Sequence, residues 1–182
     1  MRGPGHSWPR ASSIETERLL LDPLRVDDAD PVAAALDDVA LHAFIGGAPA
    51  SAAMLRARFT RQVVGAAPDG SAGWLNWVVR DRATGAVLGT VQATVRHAAA
   101  EGPEAEVAWV IATGWQGRGI ASEAAVAMAD WLREQGVGRL IAHVHPLHHA
   151  SGGVARRIGL EPTEAMVDGE RRWATPTRGR TG

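Results

Sequence analysis

Three glycines fall within six residues at Gly114-Trp115-Gln116-Gly117-Arg118-Gly119, just after a stretch holding Val107, Val110 and Ile111 and just before a helix-forming run. Glycine lets a backbone take positive φ and come close to a ligand. A helix starting there aims its unpaired amides and the positive end of its dipole at the same spot. That arrangement seats an anion, and a phosphate or diphosphate suits it best. A Walker-type loop is excluded, because all 19 basic residues are Arg, and the glycine spacing is not that of a dinucleotide-binding turn. A second group is His143, His145, His148 and His149. Alternation on a strand puts His143 and His145 on one face at a plausible metal spacing. No Asp, Glu or Cys stands nearby in the chain to complete such a site, so no metal is expected. A hydrolase pair of Ser151 and His148 lacks both a nucleophile elbow and an orienting acid.

Elements must carry these groups. Thr16 to Leu21 reads as a first strand stopped by Pro23, and Asp27, Asp28 and Asp30 lead into a helix with Val32, Leu36 and Val39-Ala40. Phe44 to Ala50 reads as a loop, followed by a helix with Met54-Leu55, Phe59 and Val63 at helical spacing. Residues 74–79 and 86–95 form a hairpin across Asp81–Gly85, and residues 104–111 alternate as a further strand. Ala121, Ala124-Ala125, Met128 and Trp131-Leu132 make one stripe of a helix that Gly136 ends. Residues 139–145 read as a strand, 151–158 as a short helix, and Asp168-Gly169 as a tight hairpin turn. The strand, helix, strand unit implies a parallel crossover and the hairpins imply antiparallel pairs. The fold class is therefore α+β, a mixed, mostly antiparallel sheet of six to seven strands flanked by about four helices.

Composition narrows the rest. The 182 residues are 46% hydrophobic, which suits one ordinary core. Residues 14–175 are expected as the domain, with 1–13 a flexible Gly/Pro/Ser-rich leader and 176–182 a tail. A net charge of −1 gives no footprint for nucleic acid or anionic membrane. No spanning run or apolar signal core is present, so a cytoplasmic protein is expected, monomer or homodimer. With no cysteine, disulfides and an acyl-cysteine intermediate are excluded.

Gln116, Gly119 and Ala121 match a Gln-x-x-Gly-x-Ala pattern that resembles the Q/R-x-x-G-x-G/A signature of the GCN5-related N-acetyltransferases, the GNAT superfamily. Two further blocks, Ala105–Ile111 and His145–Leu160, are similar to those of the RimJ/RimL type, in the same order and spacing. The element order is that of the GNAT fold, so the resemblance runs from about Glu15 to Trp173. It implies acyl-CoA, most often acetyl-CoA, lying along residues 104–111. Val110 and Ile111 amides would hold the pantetheine arm, and Gln116, Gly117, Arg118, Gly119, Ile120 and Ala121 the diphosphate. The strand needs a splay or bulge to expose those amides.

Acylating a primary amine requires removing a proton from an ammonium with a pKa near 10 and protonating a leaving thiolate. Glu106 is the expected base, directly or through a water, or else it only orients substrate; Glu104 is the second candidate. The chain has no Tyr, so the tyrosine acid of many relatives is replaced by Ser151, which is equally suited to cap a helix. His148 stands where the family has Asn and is expected to contact cofactor or substrate. Trp109 and Phe44 are expected at the acceptor site, Phe44 as part of a lid. The acceptor implied is a small-molecule amine or a protein N-terminus. A catalytically degenerate CoA-binding sensor and a phosphate-binding module without CoA remain as alternatives.

Overall fold

The computed structural model describes residues 8–98 and 102–177. Its centre is a mixed sheet in the order β1 (Ile14–Glu15), β2 (Leu19–Pro23), β3 (Gly73–Asp81), β4 (Val87–Ala98), β5 (Gly102–Ile111), β6 (Arg139–Val144), β8 (Glu170–Ala174), β7 (Glu161–Val167). Only β5–β6 is parallel. The described residues hold eight strands rather than six or seven, because Ile14 and Glu15 pair back onto Leu21 and Leu20.

Two layers of helix cover the sheet. On one face α4 (Ile120–Glu134) and α5 (His149–Arg157) bury the larger core. Ala124, Met128 and Leu132 recur at helical spacing on α4 and are fully buried against Val91, Val107 and Leu140. Burying one such Leu or Met contributes about 1.5–3 kcal/mol. On the other face α1 (Ala29–Ala35) and α3 (Ala52–Gln62) enclose a smaller cluster of Val32, Leu55, Phe59 and Val78. Met54 and Val63, expected on the apolar stripe of α3, are exposed instead. No helix of the described residues is long and apolar enough to cross a membrane.

Several boundaries differ from expectation for local reasons. The first helix ends at Ala35 rather than near Ala40, because Asp38 accepts a hydrogen bond from the Ala40 amide (2.8 Å) and starts a new 3-10 turn over Val39–Leu41. Phe44 belongs to a short helix, α2 (His42–Ile45), which Gly46 and Gly47 stop at φ of 73° and 77°. Residues 8–13, within the expected leader, make contacts to the sheet and α4. Trp8 stacks on His97 with ring centroids 4.7 Å apart, and Ser12 accepts from the indoles of Trp77 (2.8 Å) and Trp131 (3.0 Å). Residues 1–7 and 178–182 of the expected leader and tail lie outside the described residues.

Candidate active site

β5 pairs with β6 at Glu104↔Arg139, Ala105↔Leu140 and Glu106↔Ile141, and the pairing ends there. Beyond that point β5 stays on β4 as far as Ile111↔Gly89, while β6 stays on β8. A wedge opens between the two strands. The β4–β5 register runs without a shift, so the expected exposure of β5 comes from a splay and not a bulge. The Ala112 amide donates to Leu88 (2.8 Å). Antiparallel alternation then turns the main chain of Val110 towards β4 and that of Val107, Trp109 and Ile111 into the wedge. Of the two amides expected to face a ligand, that of Ile111 turns into the wedge and that of Val110 turns towards β4. The side-chain amide of Gln116 donates to the Ile111 carbonyl (3.0 Å), so Gln116 fixes the strand end. Gly89 lies so close to the Val110 carbonyl that a Cβ would overlap it.

The wedge ends on the N-terminus of α4. Gly117 and Gly119 take φ of 72° and 76°. Among the described residues nothing accepts from the amides of Gly117, Gly119, Ile120 or Ala121. Arg18 clamps this corner from the bend just before β2: its guanidinium donates to the Arg118 carbonyl (3.0 Å) and to Glu123 on the first turn of α4 (2.7 Å). Glu123 also accepts from the Thr16 hydroxyl (2.5 Å). Burial pushes the Glu123 carboxyl up, but the hydrogen bonds from Thr16 and Arg18 outweigh it and hold it below its ordinary value. The Arg118 guanidinium stacks over Trp115 at 4.9 Å and does not line the wedge.

Side chains close the wedge into a cleft of about 490 Å³. Glu106 is 42% exposed, with one oxygen 3.0 Å from Nδ1 of His143 and the other 3.6 Å from Arg96. His143 is only 18% exposed and lines the cleft. The second base candidate, Glu104, is paired with Arg139 (3.3 Å) and Arg172 (3.5 Å) and does not line the cleft. Across the cleft the Trp109 indole donates to the Ser151 hydroxyl (3.3 Å), leaving the Ser151 proton free to point elsewhere. Ser151 is not the cap of α5. His148 is, its Nδ1 accepting from the Ser151 amide (2.9 Å), because the helix begins at His149. Phe44 lies edge-on against His148 at 4.4 Å and 5.5 Å from His145. Asp38 caps the 3-10 turn that leads into the Phe44 helix, α2, and its carboxyl is lowered by the Thr113 side chain and the Ala40 amide.

An acyl-CoA fits these groups: inward-facing strand amides suit the amide-bearing pantetheine arm, and unpaired amides at positive-φ glycines suit a diphosphate. Ile111, Gln116, Gly117, Gly119, Ile120 and Ala121 meet at this corner, with Glu106, Trp109, Ser151, His148 and Phe44 around the cleft; Arg118 stays outside. His143, Arg18, Glu123 and Gly89 belong to the site but were not singled out for it from sequence. The H-x-H pattern did mark His143, though for metal. Among the described residues no three His, Asp or Glu converge as metal ligands.

A family model described as an acetyltransferase (GNAT) domain matches residues 18–161. An acetyltransferase from Agrobacterium tumefaciens is 27% identical, with 96% of this chain and 100% of that one covered at a TM-score of 0.66. A GNAT-family acetyltransferase from Bacillus anthracis is 20% identical over 89% and 96%, with a TM-score of 0.70. RimL, a ribosomal L7/L12 alpha-N-protein acetyltransferase in complex with coenzyme A, is 15% identical over 90% and 97%, at 0.73. Comparison with curated proteins finds no match.

Proposed function

The chain belongs to the GNAT acetyltransferases, and from that premise we propose that it transfers the acetyl group of acetyl-CoA directly to a primary amine, as an enzyme of the RimJ/RimL type. The observation that carries this reading is the splay after Glu106↔Ile141, opening onto the unpaired amides at the start of α4. Bound acetyl-CoA supplies an activated thioester. The chain's residues supply position and proton traffic. Main-chain amides facing the wedge polarise a carbonyl held there, a role that needs no particular side chain.

Glu106 acts through His143. With the proton on Nδ1 shared with Glu106, the Nε2 lone pair is open to accept the proton of an incoming ammonium. The carboxylate then balances the charge of the imidazolium, as an orienting acid does beside a histidine base. Ser151, its oxygen already accepting from Trp109, donates its proton to the departing thiolate.

The test is a panel of small amines and N-terminal peptides with acetyl-CoA and succinyl-CoA, read by mass spectrometry and by thiol release. The protein has no cysteine to interfere with the second readout. Steady thiol release matched by a mass gain of one acetyl on the amine is the expected result. Binding of acetyl-CoA without turnover of any amine would instead leave a CoA-binding sensor.

A further inference from the structure

A second cavity, of about 220 Å³, lies on the α1–α3 side of the sheet and shares Leu41 and Val110 with the cleft. Its polar lining comes from the sheet, from α3 and, through His42, from α2. Thr90 and Gln92 on β4 and Asn76 on β3 stand on the sheet, and Arg58 and Gln62 reach in from α3, one turn apart. No Asp or Glu of the described residues lines it. Arg58 has no carboxylate partner among the described residues and only stacks near the Phe59 ring at 5.8 Å. Arg58 is an exposed residue overall, yet burial around its guanidinium, with the like charge of Arg61, lowers its pKa. The side-chain oxygen of Gln62 is buried with no hydrogen-bond partner. A buried acceptor without a partner calls for a donor, such as a water that bridges it to a bound polar ligand.

Resting on the acetyltransferase reading, we propose that this cavity binds the carboxylate of the acceptor, so that the substrates are primary amines carrying an acid group. A guanidinium holds a carboxylate through paired charge-assisted hydrogen bonds. The amides and hydroxyl around it can donate or accept at the remaining positions. Placement sets the scale. Gln92 pairs with Ala108, two residues along β5 from Glu106, and Thr90 pairs with Val110, four residues along. With Ile141 opposite Glu106, His143 lies about level with Ala108 and two strands from Gln92, so at ~4.8 Å between strands the amine at His143 and the acid in the cavity are on the order of 10 Å apart. An α-amino acid reacting at its α-amine is too short, and an amino acid reacting at a side-chain amine or a longer ω-amino acid is of the right length.

The experiment uses ω-amino acids of graded length, from β-alanine to 8-aminooctanoate, each beside its methyl ester, with acetyl-CoA and the full chain. The longer acids should exceed their esters in kcat/KM by about tenfold or more, because a site built to bind a polar group rejects the analogue lacking it. Shorter acids should show a smaller ratio. In R58Q the acid-to-ester ratio should fall to within about twofold, R58K should retain part of it, and R61Q, outside the cavity, should retain all of it. Equal turnover of acids and esters by the unmodified protein overturns the proposal, as does a preference that survives R58Q. Absence of acetylation of every amine would instead overturn the acetyltransferase reading on which it rests.

Discussion

The two flanks of β5 hold their proposed ligands by different means. On the α4 flank the site is main chain: inward-facing strand amides, two glycines at positive φ and the first turn of a helix. On the α1–α3 flank it is side chain: the Glu106–His143 pair, Arg58, Gln62 and the polar residues of β3 and β4. The first flank suits a ligand common to a whole family, since any sequence that makes the turn makes the amides. The second suits a ligand particular to this chain.

Substitutions should sharpen that contrast, the largest effects falling on the chemistry. His143→Gln keeps a hydrogen bond to Glu106 but cannot take a proton at Nε2. Its kcat should fall about 10²–10⁴-fold while CoA affinity, measured by calorimetry, stays unchanged. Unaltered kcat would remove the pair from the reaction.

Gly119→Val should act the opposite way, on binding. A Cβ there would make only ordinary contact with Arg18 at 3.6 Å, so protein crowding is not the obstacle. The obstacle is φ of 76°, which a β-branched residue resists. Affinity for CoA should drop by roughly 10–100-fold, about 1.4–2.8 kcal/mol, and Gly119→Asn, which tolerates the left-handed region, should lose less.

Glu123→Gln tests the brace behind the amide corner, at about 1 kcal/mol of stability. The folded-state carboxyl of Glu123 is lowered. Its contribution is therefore complete above the ordinary value of 4.5 and is lost as pH falls through the lower folded value. Thermal unfolding across pH 3 to 7 should show the unmodified protein losing stability on the acid side more steeply than E123Q. Parallel curves would mean that the brace carries no charge-dependent stability.

Arg118→Ala should have the smallest effect, about two- to threefold in KM for acetyl-CoA, because its guanidinium stacks on Trp115 at the rim. A loss of tenfold or more would bring Arg118 into the site.

The same division explains what was legible in the sequence. The turn at Gly117 and Gly119 and the helix start at Ile120 could be read because they need contiguous residues of stated backbone type. The alternation of residues 104–111 and the stripe Ala124, Met128, Leu132 likewise placed β5 and α4. The pairing of His143 with Glu106 joins residues 37 apart across strands that meet for three pairs only, so spacing alone could not reveal it. Arg18 and Glu123 are 105 residues apart. Arg58 lies on a helix whose stripe was read as apolar, where an unpaired cation has no local signature. Sequence could not tell the Val110 amide from that of Ile111, because which strand residues face outward depends on register, which the Ala112–Leu88 bond fixes.

A crystal structure of the protein with acetyl-CoA tests the account most directly. The diphosphate should accept from the amides of Gly117 to Ala121, with the thioester between β5 and β6 near Ile111 and within reach of Ser151. A coenzyme bound elsewhere, or an amide corner filled by one of the protein's own side chains, would contradict it.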